Sequence, residues 1–221
     1  LAAAAHHQVA VLEIVDRAHG EIEEAEAHLF GQTESASKIV ALGFLRTLGA
    51  HLVPQLLRQF KEQFPKVNFS FSQNNTTRIE EQLEKGDLDL ILTAVPPHKP
   101  SLAWKRIADQ KLVLIAKRTH SLASKKLVRL RDLSSEPFVT FKPGHVVRTL
   151  TDQLCSSAGF APIISFEGDD SSSIPGFVAA GFGIAIVPRD SNLPPGVVVL
   201  PTARPLMRRQ IGLAGVEERF M

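Results

Sequence analysis

Two aspartates one residue apart, Asp87 and Asp89, stand in the stretch EEQLEKGDLDLILTAVPP, just after a glycine and at the mouth of an apolar run. Carboxylates this close suit a metal site, an acid/base pair, or the turn between a helix and a strand. With a side-chain period of two they project to the same side of a strand. A metal or general-acid role needs further ligands converging there, and the nearest histidine, His98, falls at the far end of the run. Reactive groups in open α/β sheets gather at the carboxyl ends of strands. These aspartates sit at an amino end, so the expected role is structural, in the turn and at the strand entrance.

Other catalytic constellations are missing from the sequence. It contains no G-x-S-x-G, H-E-x-x-H, Walker loop or paired-cysteine signature. The eight histidines are scattered, and His6-His7 has no carboxylate at metal-ligand spacing. AAGFGIA holds a G-x-G pair, but it enters a strand instead of leaving one, unlike a dinucleotide fingerprint. The single cysteine, Cys155, excludes an intrachain disulfide and a cysteine-based zinc cluster. The expectation is a non-enzyme with no catalytic residues, no metal and no cofactor.

The elements that must position any site fit an ordinary globular chain. Its 221 residues suffice for one large domain or two small ones, at 44% hydrophobic and 22% charged. A formal net charge of +2 gives no case for a whole surface devoted to nucleic acid or membrane. No run approaches 18 apolar residues, so no transmembrane helix is expected. The Ala-rich start, LAAAAHHQVAVLEIVD, turns acidic and lacks a basic n-region, so it does not read as a signal peptide. A cytoplasmic location is expected. The start at Leu1 and the end at EERFM read as those of a piece of a longer protein.

Val11, Val15, Ala18, Ile22, Ala25 and Leu29 are spaced 4, 3, 4, 3, 4, a heptad seam for packing along a partner helix, with acidic residues between them. An amphipathic helix packed on its own domain is the other reading. Beyond it strands and helices alternate. Strands are expected at 38–44, 67–73 and 88–95, with helices at 49–63 and 76–86 between them. Pro54 fits the first turn of the former helix and Pro65 stops it. Thr76 suits an N-cap and Gly86 a C-terminal glycine of the latter. This β-α-β-α-β order implies a parallel sheet with right-handed crossovers. A second unit follows: strands at 111–118, 163–168, 183–188, 197–201 and 208–216, a short helical turn entering a strand over 130–141, and helices at 145–159 and 173–181. Two α/β units with a chain crossing near 96–111 suggest two lobes and a cleft.

Four segments in order carry a family resemblance: the acidic helix VDRAHGEIEEAEAHLFG, then KIVALGFLRTLGAHLVPQLLRQFKEQFPKVNFSF, then EEQLEKGDLDLILT, then VAAGFGIAIVP. Together they resemble the C-terminal part of a LysR-type transcriptional regulator over nearly the whole chain. The resemblance implies an α/β, type 2 periplasmic-binding-protein-like fold, with two Rossmann-like lobes joined by a two-strand hinge and preceded by a linker helix. It divides the chain into a linker and dimerisation helix (1–31), lobe I (38–110 plus 201–221) and lobe II (111–200). It implies a bacterial regulator that is a homodimer or homotetramer, with Val15, Ala18, Ile22, Ala25 and Leu29 at the subunit interface. Promoter DNA would be bound only through a winged helix-turn-helix N-terminal to this chain, and no membrane is involved.

The resemblance also implies a small-molecule effector in the cleft, held by strand-end loops and helix N-termini, which favour an anion. Mapped by motif, four loops result. LRTLGA offers Arg46 and Thr47, and QNNTT offers Asn74 and Thr76. FKPGHVV offers Lys142, Gly144 and His145, and GDDSSS offers Asp169, Ser171 and Ser172. Each has a plainer reading: Thr76, Ser172, Asp169 and Asp170 also suit helix caps, His145 a surface or capping histidine, Asn74 a tight turn, and Arg46 and Lys142 solvated charges. Two cations beside two helix N-termini favour a small carboxylate, amino acid or sugar phosphate, whereas Asp169 and Asp170 oppose an anion. The alternative is an exported type 2 solute-binding protein, which calls for a signal or lipobox and no heptad helix ahead of the first strand; this sequence has the reverse.

Overall fold

The computed structural model describes residues 39–97, 99–202 and 207–216. The heptad residues Val15, Ala18, Ile22, Ala25 and Leu29 lie outside these, as does His98. The strands are β1 (Ile39–Leu45), β2 (Asn68–Asn74), β3 (Leu90–Thr93), β4 (Leu102–Lys117), β5 (Pro137–Phe141), β6 (Ile163–Gly168), β7 (Ala185–Pro188), β8 (Val197–Leu200) and β9 (Arg208–Val216). The α-helices are α1 (Leu52–Gln63), α2 (Thr76–Glu84), α3 (Val146–Ser157) and α4 (Ser173–Ala180). The chain forms two units, divided after Asp109 and again after Arg209.

In the first unit β1 is the middle strand, parallel to β2 on one side and to β3 on the other. The four residues of β3 are all buried, in keeping with its three leading apolar residues, and β9 runs antiparallel along its far side. Helix α1 buries Leu52, Val53, Leu56 and Phe60, while Pro54 occupies its first turn. The expected helix over 49–63 begins three residues late, because Arg46–Leu48 first winds into a 3-10 turn that buries Leu48. Helix α2 buries Ile79, Glu80 and Leu83 and ends before Gly86, whose φ of 78° is the left-handed value that favours glycine. Its cap is Asn75 and not Thr76: the Asn75 side chain accepts from the Arg78 N–H, 3.0 Å away. Asparagine outranks threonine at this position.

The second unit pairs β5 with β6 in parallel, and β7 and β8 antiparallel to the later residues of β4. Leu133, Phe138, Phe141, Ile115, Ile174 and Ile184 are fully buried at its centre. Gly159 and Gly181, with φ of 87° and 93°, end α3 and α4 as left-handed residues. Strand β4 starts at Leu102, well before the expected 111, because its first half is polar and only partly buried and carries no clean period of two.

Arg209, on β9, is buried, and its Nε donates to Gln110 Oε1 at 2.6 Å. Gln110 Nε2 in turn donates to both oxygens of Asp190, each at 2.9 Å. Burial pushes the Arg209 guanidinium down to about 10, against the opposing pull of Asp190. It therefore stays charged at neutral pH. Cys155 on α3 is also buried, and desolvation, helped by Asp152, pushes its thiol up to about 11.

Candidate functional site

In the first unit the register sets strand ends side by side. Leu45, the last residue of β1, pairs with Asn74, the last of β2; Phe44 pairs with Leu92, one residue before the end of β3. The carboxyl rim of the three parallel strands therefore gathers Arg46 and Thr47, which follow β1, with Asn74 and Thr76, which end β2 and open α2. Arg46 and Thr47 are half-buried. The Arg46 carbonyl accepts from Gln73 Nε2 at 3.3 Å, tying this turn to β2. Asn74 Oδ1 accepts from the Asn75 N–H at 3.2 Å, the local turn role read for it. Thr76 Oγ1 is buried and has no hydrogen-bond partner among the described residues. Helix α2 has no acidic residue in its first turn, so its positive end is not offset there.

In the second unit Phe141, ending β5, pairs with Gly168, ending β6, and the Lys142 N–H donates to the Gly168 carbonyl at 3.0 Å. That pairing brings Lys142 beside Asp169: Nζ donates to Oδ2 at 2.6 Å. Gly144, at φ 91°, turns the chain left-handed into His145, the residue before α3. His145 makes no side-chain cap; its buried ring lies 5.4 Å from the Phe141 ring, with Nε2 3.2 Å from Asp169 Oδ1. Hydrogen bonds from Lys142 and then His145, with their charges, hold the Asp169 carboxyl below the usual carboxylate range. Lys142, His145 and Asp169 thus form one cluster at the start of α3, which has no acidic residue in its first turn.

Ser172 is bound up separately. Its N–H donates to Asp170 Oδ1 at 3.1 Å and its hydroxyl to the same carboxylate, and it forms no side-chain cap on α4. Sequence reasoning missed Arg148, on the first turn of α3. Its Nε donates to both oxygens of Asp152, at 3.0 and 2.9 Å, and its Nη1 to the Phe141 carbonyl at 3.1 Å and to Glu167. It fixes the helix start to the ends of β5 and β6. The i, i+4 spacing to Asp152 was the available signal. No group of three or more His, Cys, Asp or Glu among the described residues is placed to hold a metal ion. No helix among them is long and apolar enough to cross a membrane.

The LysR substrate binding domain family model matches residues 33–220. The uncharacterised HTH-type transcriptional regulator YybE of Bacillus subtilis (strain 168) is 35% identical over 185 residues, 83% of this chain and 63% of that protein. The transcriptional dual regulator GltC of the same organism is 33% identical, over 81% of this chain and 61% of its own length. The chain thus spans about three fifths of these curated relatives. Among solved structures, the effector binding domain of QuiR in complex with shikimate is 28% identical, with a TM-score of 0.76, covering 82% of this chain and 88% of that one. YybE and GltC are named as transcriptional regulators and the QuiR structure as an effector binding domain, and the fold shared with that domain is the type 2 periplasmic-binding-protein-like α/β fold. With a family model matched from residue 33 to residue 220, the chain belongs to the LysR substrate-binding domain family.

Proposed function

We propose that this chain is the effector-sensing part of a bacterial LysR-type transcriptional regulator, and that its effector is a small organic anion. The observation that carries this is the likeness to the QuiR effector binding domain, solved with shikimate. The chemistry of the rims supports it: each unit collects its candidate residues at the carboxyl ends of its own parallel strands, beside helix starts free of acidic residues. Arg46, Thr47, Asn74 and Thr76 would serve in one unit. Lys142, Gly144, His145, Asp169 and Ser172 would serve in the other. Asp169 already pairs with Lys142, so of the two candidate cations Arg46 is the one left to meet the anion.

The longer protein would act in the cytoplasm and bind promoter DNA through a part N-terminal to this chain. Homodimers or homotetramers would form through Val15, Ala18, Ile22, Ala25 and Leu29. Light scattering on an Ala18→Glu, Ile22→Glu double variant tests the last point, which an unchanged mass would refute. The effector reading is tested by thermal shift and calorimetry with shikimate and a panel of hydroxy, aromatic and phosphorylated acids. A ligand at 100 times its Kd adds about 2.7 kcal/mol, several degrees in Tm for a chain of this size. Arg46→Glu should abolish the shift. Binding unaltered by that reversal would rule Arg46 out.

A further inference from the structure

Three polar atoms from three elements of the first unit are closed from solvent and have no hydrogen-bond partner among the described residues: Thr76 Oγ1, Thr93 Oγ1 and Trp104 Nε1. His51 and Gln59 also carry such an atom. What sets the three apart is that the sheet register places them at one corner. Thr93, the last residue of β3, lies directly opposite Gly212 of β9 in an antiparallel pair. Residues so paired project to the same face, with Cβ positions about 4.5–5.5 Å apart. Gly212 has no side chain, and the Trp104 indole fills its place: a Cβ there would lie 2.2 Å from Trp104 Cε2 and 2.4 Å from Nε1. The indole nitrogen therefore stands beside the Thr93 side chain.

Helix α2 covers the same face. A Cβ at Gly43, which pairs with Ile91, would meet Ile91 Cγ2 at 3.0 Å and Ile79 Cβ at 3.5 Å. From that level Thr93 is one same-face step toward the rim along β3. Thr76 is one turn toward the rim along α2. The two hydroxyls and the indole N–H thus converge at the strand ends, where Thr93 itself is 0% exposed.

We propose that Thr93 and Trp104, with Thr76, bind an uncharged oxygen of the effector, a hydroxyl or carbonyl; this rests on the effector reading above. The indole N–H only donates, while the hydroxyls donate or accept, so the occupant must supply an acceptor. None of these three groups carries a positive charge to balance a carboxylate, so a neutral oxygen is favoured at this corner. The effector is then a hydroxy or keto acid whose anion is met elsewhere on the rim. All three atoms are covered, so binding there requires the indole to move off Gly212.

Trp104 is the sole tryptophan and the chain has no tyrosine, so its emission reports this corner alone. Shikimate and its hydroxyl-free analogue cyclohex-1-ene carboxylate are titrated into the intact chain by calorimetry and fluorescence, with Thr93→Val and Trp104→Phe alongside. The expected result is an emission change with shikimate, at least tenfold weaker binding of the analogue, and at least tenfold weaker shikimate binding by Thr93→Val. The free Thr93→Val protein should melt no lower than the parent, because the hydroxyl it loses has no partner. Shikimate bound equally by parent, Thr93→Val and Trp104→Phe would overturn the proposal and leave the effector reading standing. A drop of several degrees in the melting of free Thr93→Val would overturn it too, by assigning the hydroxyl a structural bond. Silence from every acid in the panel would sink the effector reading, and this proposal with it.

Discussion

Asp89 and Ala41, 48 residues apart in sequence, exchange two hydrogen bonds: the Asp89 N–H donates to the Ala41 carbonyl at 2.8 Å, and the Ala41 N–H donates to Asp89 Oδ2 at 2.8 Å. The carboxylate stands in for a backbone carbonyl at the entrance of β3 and so aligns β1 with it. Asp87 is exposed, and its backbone N–H closes the end of α2 on the Gln82 carbonyl at 2.9 Å. The close pair of carboxylates is thus a turn and a strand clamp.

Asp89→Ala should therefore cost stability, by about 1.5–3 kcal/mol for a hydrogen bond to a charged group. Asp87→Ala should stay within about 0.5 kcal/mol, as exposed substitutions do. Urea melts of the two variants check this, and equal losses would refute the division of roles.

Cys155 should resist thiol reagents in the folded protein. It is fully buried and its thiol is pushed up to about 11, so little thiolate exists at pH 8. A disulfide exchange reagent should titrate almost no thiol natively and one equivalent in denaturant. Fast native labelling would contradict this.

The Lys142–Asp169–His145 cluster has a defined pH sense. Asp169 has a lowered folded-state value, so its contribution is present above the ordinary carboxylate range and is lost as pH falls through its folded value. An NMR titration of the Asp169 carboxyl should show a midpoint below that of an ordinary aspartate, and Lys142→Met should raise it. A midpoint unaltered by Lys142→Met would mean that the ion pair is not formed in solution.

Gly183 should be closed to substitution. Its φ is 138°, and a Cβ there would lie 2.1 Å from the Pro137 carbonyl oxygen, a backbone atom that accepts the Ile184 N–H at 2.9 Å. Gly183→Ala should cost about 4 kcal/mol or more, in the range of severe backbone and overpacking effects. Gly176→Ala, where a Cβ meets nothing within 4 Å, is the control. A Gly183→Ala protein as stable as the control would refute the clash.

Much of the architecture was legible in the sequence, because local signals sufficed. Pro54 and Pro65 bracket α1, the run LILT is a fully buried parallel strand, and Gly86, Gly159 and Gly181 close helices with left-handed φ. Proline and glycine act through their own backbone, and the apolar period shows which face is covered. The four family motifs then gave the fold class. Where local signals compete, the reading slipped: Asn75 and Thr76 both suit a cap, and the half-exposed start of β4 has no clean period.

What only the tertiary structure decided are the partnerships across long sequence gaps. Lys142 and Asp169 are 27 residues apart, and they meet because Phe141 and Gly168 pair at the ends of β5 and β6. Thr93 and Trp104 became candidates because Gly212 leaves room for the indole opposite Thr93. A sequence fixes each residue's chemistry and its local backbone preference, but strand register sets which side chains converge, and register depends on the whole sheet at once.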